Sequence, residues 1–213
     1  GYRVIKGVNG EKTYYLYEGD KIVLEIDKDG KQTARNLYGI NLLMRTVDGQ
    51  TYSYLYNGHV DVTALIGTDG TVVASYYYDA FGNILESNGD VDNNIRYSGY
   101  QYDEETGLYY LRARYYDPAN SHMLLPDPYW LPGNIIYGDN PGNTPVPNIL
   151  AIRQSSNLYV YALNNPIMYS DPSGYVIELS SDVTDKQKQE YERAIEYLKT
   201  SEDGKALIEK LEN

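Results

Sequence analysis

The side chains with chemical reach in this chain are carboxylates, tyrosines and two histidines. Three aspartates stand directly before proline, at Asp117-Pro118, Asp127-Pro128 and Asp171-Pro172. By residue type each starts a turn, with Asp capping and Pro fixing φ. His59 and His122 lie far apart in sequence with no third ligand at zinc spacing, so no metal is expected. Asp27-Lys28-Asp29-Gly30 resembles the opening of a calcium loop but lacks the downstream Glu, which leaves a hairpin turn. Tyr52, Tyr54 and Tyr56, and the run Tyr76-Tyr77-Tyr78, could stack on a glycan, although cross-strand packing is the simpler reading. No phosphate-cradling Gly loop, Ser/His/Asp set or His-Glu-x-x-His occurs, and no cofactor is expected.

The elements that must position these groups are β-strands. Of 213 residues, 26 are Tyr against one Phe and one Trp, a choice suited to strands whose ring packs while the hydroxyl finds water or a partner. That composition predicts sheets with both faces near solvent and no thick dry core. The net charge of -12, spread along the chain, argues against nucleic-acid or anionic-membrane partners, which need clustered Lys and Arg. There is no Cys, hence no disulfide or thiolate chemistry. No apolar run approaches the ~20 residues of a membrane span, and Gly1-Tyr2-Arg3 does not begin a signal peptide. Opening already within its pattern, the chain reads as a segment of a longer protein.

All nine prolines lie between Pro118 and Pro172, which divides the chain into three parts. Residues 1–116 are strands joined by Asn9-Gly10, Asp29-Gly30, Asp48-Gly49, Asn57-Gly58, Asp69-Gly70 and Asn88-Gly89, dipeptides that supply the φ > 0 conformations of tight hairpins. Leu16-Tyr17-Glu18-Gly19 recurs as Leu55-Tyr56-Asn57-Gly58, 39 residues on, and Asp29-Gly30 recurs as Asp69-Gly70, 40 residues on. Units of this size that cannot close a core alone imply a stack or spiral. Residues 117–175, rich in Pro and Asn, predict ordered loop with short strands, folded as a plug. Residues 134–156 read as an insertion. Residues 176–213 change character, with Thr184 and Gln187 as a capping box, Tyr191, Ile195 and Leu198 on one face, and a second short helix carrying Leu207, Ile208 and Leu211. Such helices need a host for their apolar faces, so they read as the start of a further domain.

Tyr78-Asp79-Ala80-Phe81-Gly82-Asn83-Ile84 resembles the tyrosine–aspartate unit of Rhs/YD-repeat proteins, which include bacterial polymorphic toxins, Tc toxin shell components and teneurins. The block from Arg96 to Pro118, with Asp103-Glu104-Glu105-Thr106-Gly107-Leu108-Tyr109-Tyr110 at its centre, resembles the Rhs-associated core, and Leu158 to Gly174 resembles its end. The resemblance implies a mainly β fold: a YD-repeat β-hairpin spiral forming part of a shell, a Pro-rich core plug, and a short α-helical C-terminal extension. It further implies secretion or cell-surface display, enclosure of the protein's own C-terminal effector domain, and contact with the rest of the parent shell.

The same resemblance implies that the shell cuts itself after the final Asp-Pro-x-Gly with two aspartates. Carried over, these are Asp127 and Asp171, and the scissile bond is Tyr175–Val176. Two carboxylates brought together cannot both ionise easily, so they can share the roles of acid and base around a water. Where family members commonly place Arg before the first aspartate, this chain has Pro126, and Trp130 replaces the following Gly. Arg153 in the insertion, or Arg112 and Arg114 just upstream, are the candidates for a substitute guanidinium. The rival reading is a catalytically inert adhesion or carbohydrate-binding module. A peptidase acting on other proteins has no nucleophile or metal set to support it.

Overall fold

The computed structural model describes residues 2–130, 133–135 and 149–175, with a short strand at 178–179. Its first half is one antiparallel meander, in which every strand pairs with the next: β1 (Ile5–Val8), β2 (Glu11–Glu18), β3 (Lys21–Ile26), β4 (Gln32–Tyr38), β5 (Leu42–Val47), β6 (Gln50–Tyr56), β7 (Val62–Ile66), β8 (Val72–Tyr78) and β9 (Ile84–Asn88). The 39- to 40-residue repeat is therefore four strands, with β6 repeating β2 and β8 repeating β4. A four-stranded sheet follows, β10 (Gln101–Asp103), β11 (Leu108–Tyr110), β12 (Tyr115–Asp117) and β13 (His122–Met123). Helix α1 (Ile149–Ser155) lies inside the sequence-predicted insertion, and β14 (Tyr169–Ser170) pairs with β15 (Glu178–Leu179). The pairing changes sheet between Asn88 and Gln101, so residue 116 falls inside β12 and not at a sheet boundary. The predicted C-terminal helices lie outside the described residues.

The turn dipeptides divide into kinds. Asn9-Gly10 and Asp48-Gly49 join strands as two-residue turns with φ positive at both positions. Asp29-Gly30 and Asp69-Gly70 sit instead in longer loops closed at both ends, by Asp27 N–H to the Lys31 carbonyl and Gly67 N–H to the Thr71 carbonyl. Asn57-Gly58 opens the same kind of loop, but there Val60 takes the positive φ. Asn88-Gly89 ends the meander and closes no hairpin.

One face of the meander buries Leu42, Tyr54, Val62, Leu65, Ala74, Tyr76 and Ile95. Tyr54 and Tyr76 are thus core residues with Tyr52, Tyr56 and Tyr78 packed beside them, while Tyr77 points outward. Beneath this face Arg45 bonds Glu25 at 2.6 Å and Asn36 at 3.1 Å, satisfying a charge that would otherwise be costly to bury.

The expectation that tyrosine excludes a dry core is overturned from Tyr97 onward. Tyr97, Tyr100, Tyr109, Tyr116 and Tyr161 are buried together with Leu111 and Met123. The reason is that their hydroxyls find protein partners. Tyr97, Tyr116 and Tyr109 donate to three consecutive carbonyls, those of Ala80, Phe81 and Gly82, at 2.7–2.8 Å. Asp79 shapes that loop from within, accepting the N–H groups of Phe81 and Asn83 at 2.9 Å each. The Tyr-Asp unit is therefore the socket on which the tyrosine core of the second sheet is seated.

Gly82 makes that seating possible: its φ is +86°, and a Cβ there would meet the Tyr97 ring at 2.6 Å. Gly82→Ala is expected to cost about 2–4 kcal/mol, combining positive-φ strain with overpacking. Gly70→Ala, at φ +84° with open space around the Cβ position, should cost only about 1 kcal/mol. Urea midpoints of the two variants check the difference.

Candidate functional site: two carboxylates on one guanidinium

Asp127 and Asp171, 44 residues apart in sequence, meet at Arg114. Arg114 ends the turn between β11 and β12, fixed by Leu111 N–H to its own carbonyl at 2.9 Å. Its Nη2 lies 2.8 Å from Asp171 Oδ2 and 3.1 Å from Asp127 Oδ2. Its Nε donates to the Gly174 carbonyl at 2.5 Å and its Nη1 to the Leu158 carbonyl at 3.3 Å. A planar fork can hold four acceptors in one plane where a lysine could hold a single point. All three side chains are buried, Asp171 at 1 % and Arg114 at 3 % exposure.

Backbone bonds set each carboxylate. The Leu158 carbonyl also accepts the Asp127 N–H at 2.8 Å, so one oxygen locates both Arg114 and Asp127. Asp127 Oδ1 accepts the Tyr129 N–H at 2.9 Å, the turn expected of Asp-Pro and compatible with the site. The Asp171 N–H is donated to the Tyr100 hydroxyl at 2.9 Å, and Asp171 Oδ1 is buried without a hydrogen-bond partner. The strand pair β14–β15 brackets the predicted scissile bond, and the connection carries Asp171, Gly174 and Tyr175. Gly174 lies against the Arg114 turn so closely that a Cβ would meet the Leu111 carbonyl at 2.6 Å.

Electrostatics separate this pair from ordinary surface aspartates. Burial pushes the Asp171 carboxyl up to about 6, opposed by Arg114 and reinforced by the neighbouring Asp127 charge. Burial also raises Asp127, again against the pull of Arg114. Burial thus raises both carboxyls against the single guanidinium they share.

Arg114 is the guanidinium that meets both aspartates. Arg153 is exposed on α1 and, among the described residues, pairs with neither aspartate. Arg112 bonds Asp20 at 2.9 Å, away from the pair. Tyr175 is partly exposed with its N–H on the Ser173 hydroxyl at 3.2 Å, and Val176 lies outside the described residues. Tyr100 and the Leu158 carbonyl escaped sequence reasoning, because nothing distinguishes one tyrosine among 26 and a backbone oxygen leaves no residue-type mark. His59, read from sequence only as a histidine without zinc partners, has Nδ1 2.9 Å from Asp61 and Nε2 2.7 Å from the Pro166 carbonyl, tying the β6–β7 loop to the plug.

No protein-family model matches the chain. Over 186 residues, 84 % of its length, it is 44 % identical to the tRNA3(Ser)-specific nuclease WapA of Bacillus spizizenii. The toxin protein Tse5 of Pseudomonas aeruginosa is 39 % identical over 85 residues, 40 % of this chain. The TcdB2-TccC3-Cdc42 crystal structure superposes on 78 % of this chain and 8 % of its own with a TM-score of 0.56 and 21 % identity, a likeness of fold. The chain belongs to the Rhs/YD-repeat proteins. As an Rhs/YD-repeat segment it spans 7 % of WapA and 5 % of Tse5. The mainly β, hairpin-built fold expected from its motifs is the fold found.

Proposed function

We propose that this Rhs/YD-repeat segment is the closing part of a toxin shell that encloses a C-terminal effector and severs it by self-cleavage at Tyr175–Val176. The single observation that carries the catalytic part is the union of Asp127 and Asp171 on the buried Arg114. The segment's place in relatives named as nucleases and toxins supports the enclosing part. Its partners on this reading are the remainder of the parent shell and the effector beyond the cut, and its setting is outside the producing cell.

In the proposed reaction Asp127, whose ionised form Arg114 favours against burial, takes a proton from water as the water oxygen attacks the Tyr175 carbonyl carbon. Asp171 gives its proton to the Val176 nitrogen as the C–N bond breaks, leaving a carboxyl on Tyr175 and an amine on Val176. Arg114 fixes the Gly174 carbonyl, one peptide before the bond, and so limits how the backbone enters the site. Because the pair exists only once β11–β12 and the plug have docked, cutting follows folding.

Intact mass of the purified chain tests this. Two fragments parting after Tyr175 are expected in place of one 24.2 kDa species. A single uncut species after prolonged incubation between pH 5 and 8 would remove self-cleavage from the reading.

A further inference from the structure

We propose that Tyr100 is the positioning residue of this site, its hydroxyl setting the register of Asp171 against Arg114 and Asp127. The inference rests on the self-cleavage reading and deepens it.

Among the described residues, Asp171 has few other holds. There its side chain makes one hydrogen bond, Oδ2 to Arg114, while Oδ1 has none. There too its carbonyl accepts a long 3.4 Å bond from the Gly174 N–H. The short, buried contact on its backbone is the 2.9 Å bond from its N–H to the Tyr100 hydroxyl, made across 71 residues of sequence. Tyr100 is itself rigid. Its ring packs edge-on against Tyr97, Tyr109 and Tyr161, and its hydroxyl accepts a second bond from Tyr161 at 3.2 Å. It stands directly between the 3-10 turn Tyr97–Gly99 and β10, on the first part of the core and not on the plug.

The consequence is a division of labour. Leu158 and Arg114 place Asp127 from the plug and the second sheet, whereas Asp171 adds to its own Arg114 bond the hydroxyl of a tyrosine anchored in the shared aromatic core. A buried N–H deprived of its acceptor bears its full desolvation penalty, which favours a shift of Asp171 toward another partner, and such a shift carries the carboxylate with it. Among the described residues, the charged and titratable groups facing Asp171 are Arg114 and Asp127, with Tyr100 on its amide and Tyr161 one bond further. Movement of Asp171 therefore changes both its geometry and its titration.

Tyr100→Phe keeps the ring and deletes the hydroxyl. Tyr161→Phe deletes a hydroxyl from the same core that touches Tyr100 but not Asp171, and serves as the structural control. Time-resolved intact mass should show Tyr100→Phe cutting at least tenfold more slowly, with the alkaline limb of its pH–rate profile displaced by half a unit or more. Tyr161→Phe should cut within threefold of the parent, with its profile in place. Equal effects in the two variants would overturn the assignment. A second readout, titration of the Asp171 carboxyl by 13C NMR in the whole chain, does not need turnover. If the parent never cuts, self-cleavage fails on its own, and an Asp171 titration unmoved by Tyr100→Phe would still overturn the positioning role, while a displaced one would support it.

Discussion

Arg114→Met should abolish self-cleavage and lower stability by about 3–5 kcal/mol, the scale of breaking a buried ion pair by removing one partner. The guanidinium is 3 % exposed and serves four oxygens, those of Asp127, Asp171, Gly174 and Leu158. Methionine fills much of its volume and meets none of them, leaving two buried carboxylates side by side with no cation. Their proton uptake softens the penalty but destroys the acid–base division. Arg114→Lys should fall between, since one ammonium keeps the charge yet cannot span both carboxylates and two carbonyls. Arg153→Met, on the exposed face of α1, should stay within about 0.5 kcal/mol of the parent and cut at its rate. Urea unfolding and intact mass on the three variants decide the matter. Cleavage that persists in Arg114→Met would separate the aspartate pair from the guanidinium altogether.

How far the sequence could be read depended on what kind of interaction set each feature. The meander was legible because local chemistry fixes it: tight-turn dipeptides, alternating strands and a 40-residue echo are all contained within short windows. The dry tyrosine core was not, because it depends on hydroxyls of Tyr97, Tyr109 and Tyr116 reaching a loop 17 to 35 residues earlier. Arg114 was visible only as one of several basic residues. What selects it over Arg112 and Arg153 is the tight turn that aims it at the plug, while Arg112, two residues before, adopts a φ of +64° and turns outward to Asp20. Asp-Pro at 127 and 171 was read both as turn and as chemistry, and the geometry accommodates both, since Asp127 uses one oxygen for each.

Asp171→Asn should remove cleavage by a factor of a thousand or more on the scale of losing an acid–base group that acts as a unit with its partner, and Asp127→Asn should do the same. The pH dependence then distinguishes the two roles. With Asp171 pushed up to about 6, its proton is the scarce quantity above that pH, so the rate should fall roughly tenfold per unit beyond it. Stability carries the same signature with a definite sign. The folded carboxyl holds its proton more tightly than the unfolded one, near 3.9, so its stabilising contribution is complete below about pH 4 and is lost as pH rises through 6. Between pH 8 and pH 5 that amounts to a gain of up to about 1.4 kcal/mol. It is best read in uncut chains, as Asp127→Asn against the double variant with Asp171→Asn, so that the other carboxylates cancel. Asp127 is the smaller contributor to the Asp171 shift and burial the larger, so the difference should survive its removal. Equal pH dependence in the two uncut variants would mean that Asp171 titrates like a surface aspartate, and a surface aspartate cannot keep the proton that the leaving amine requires.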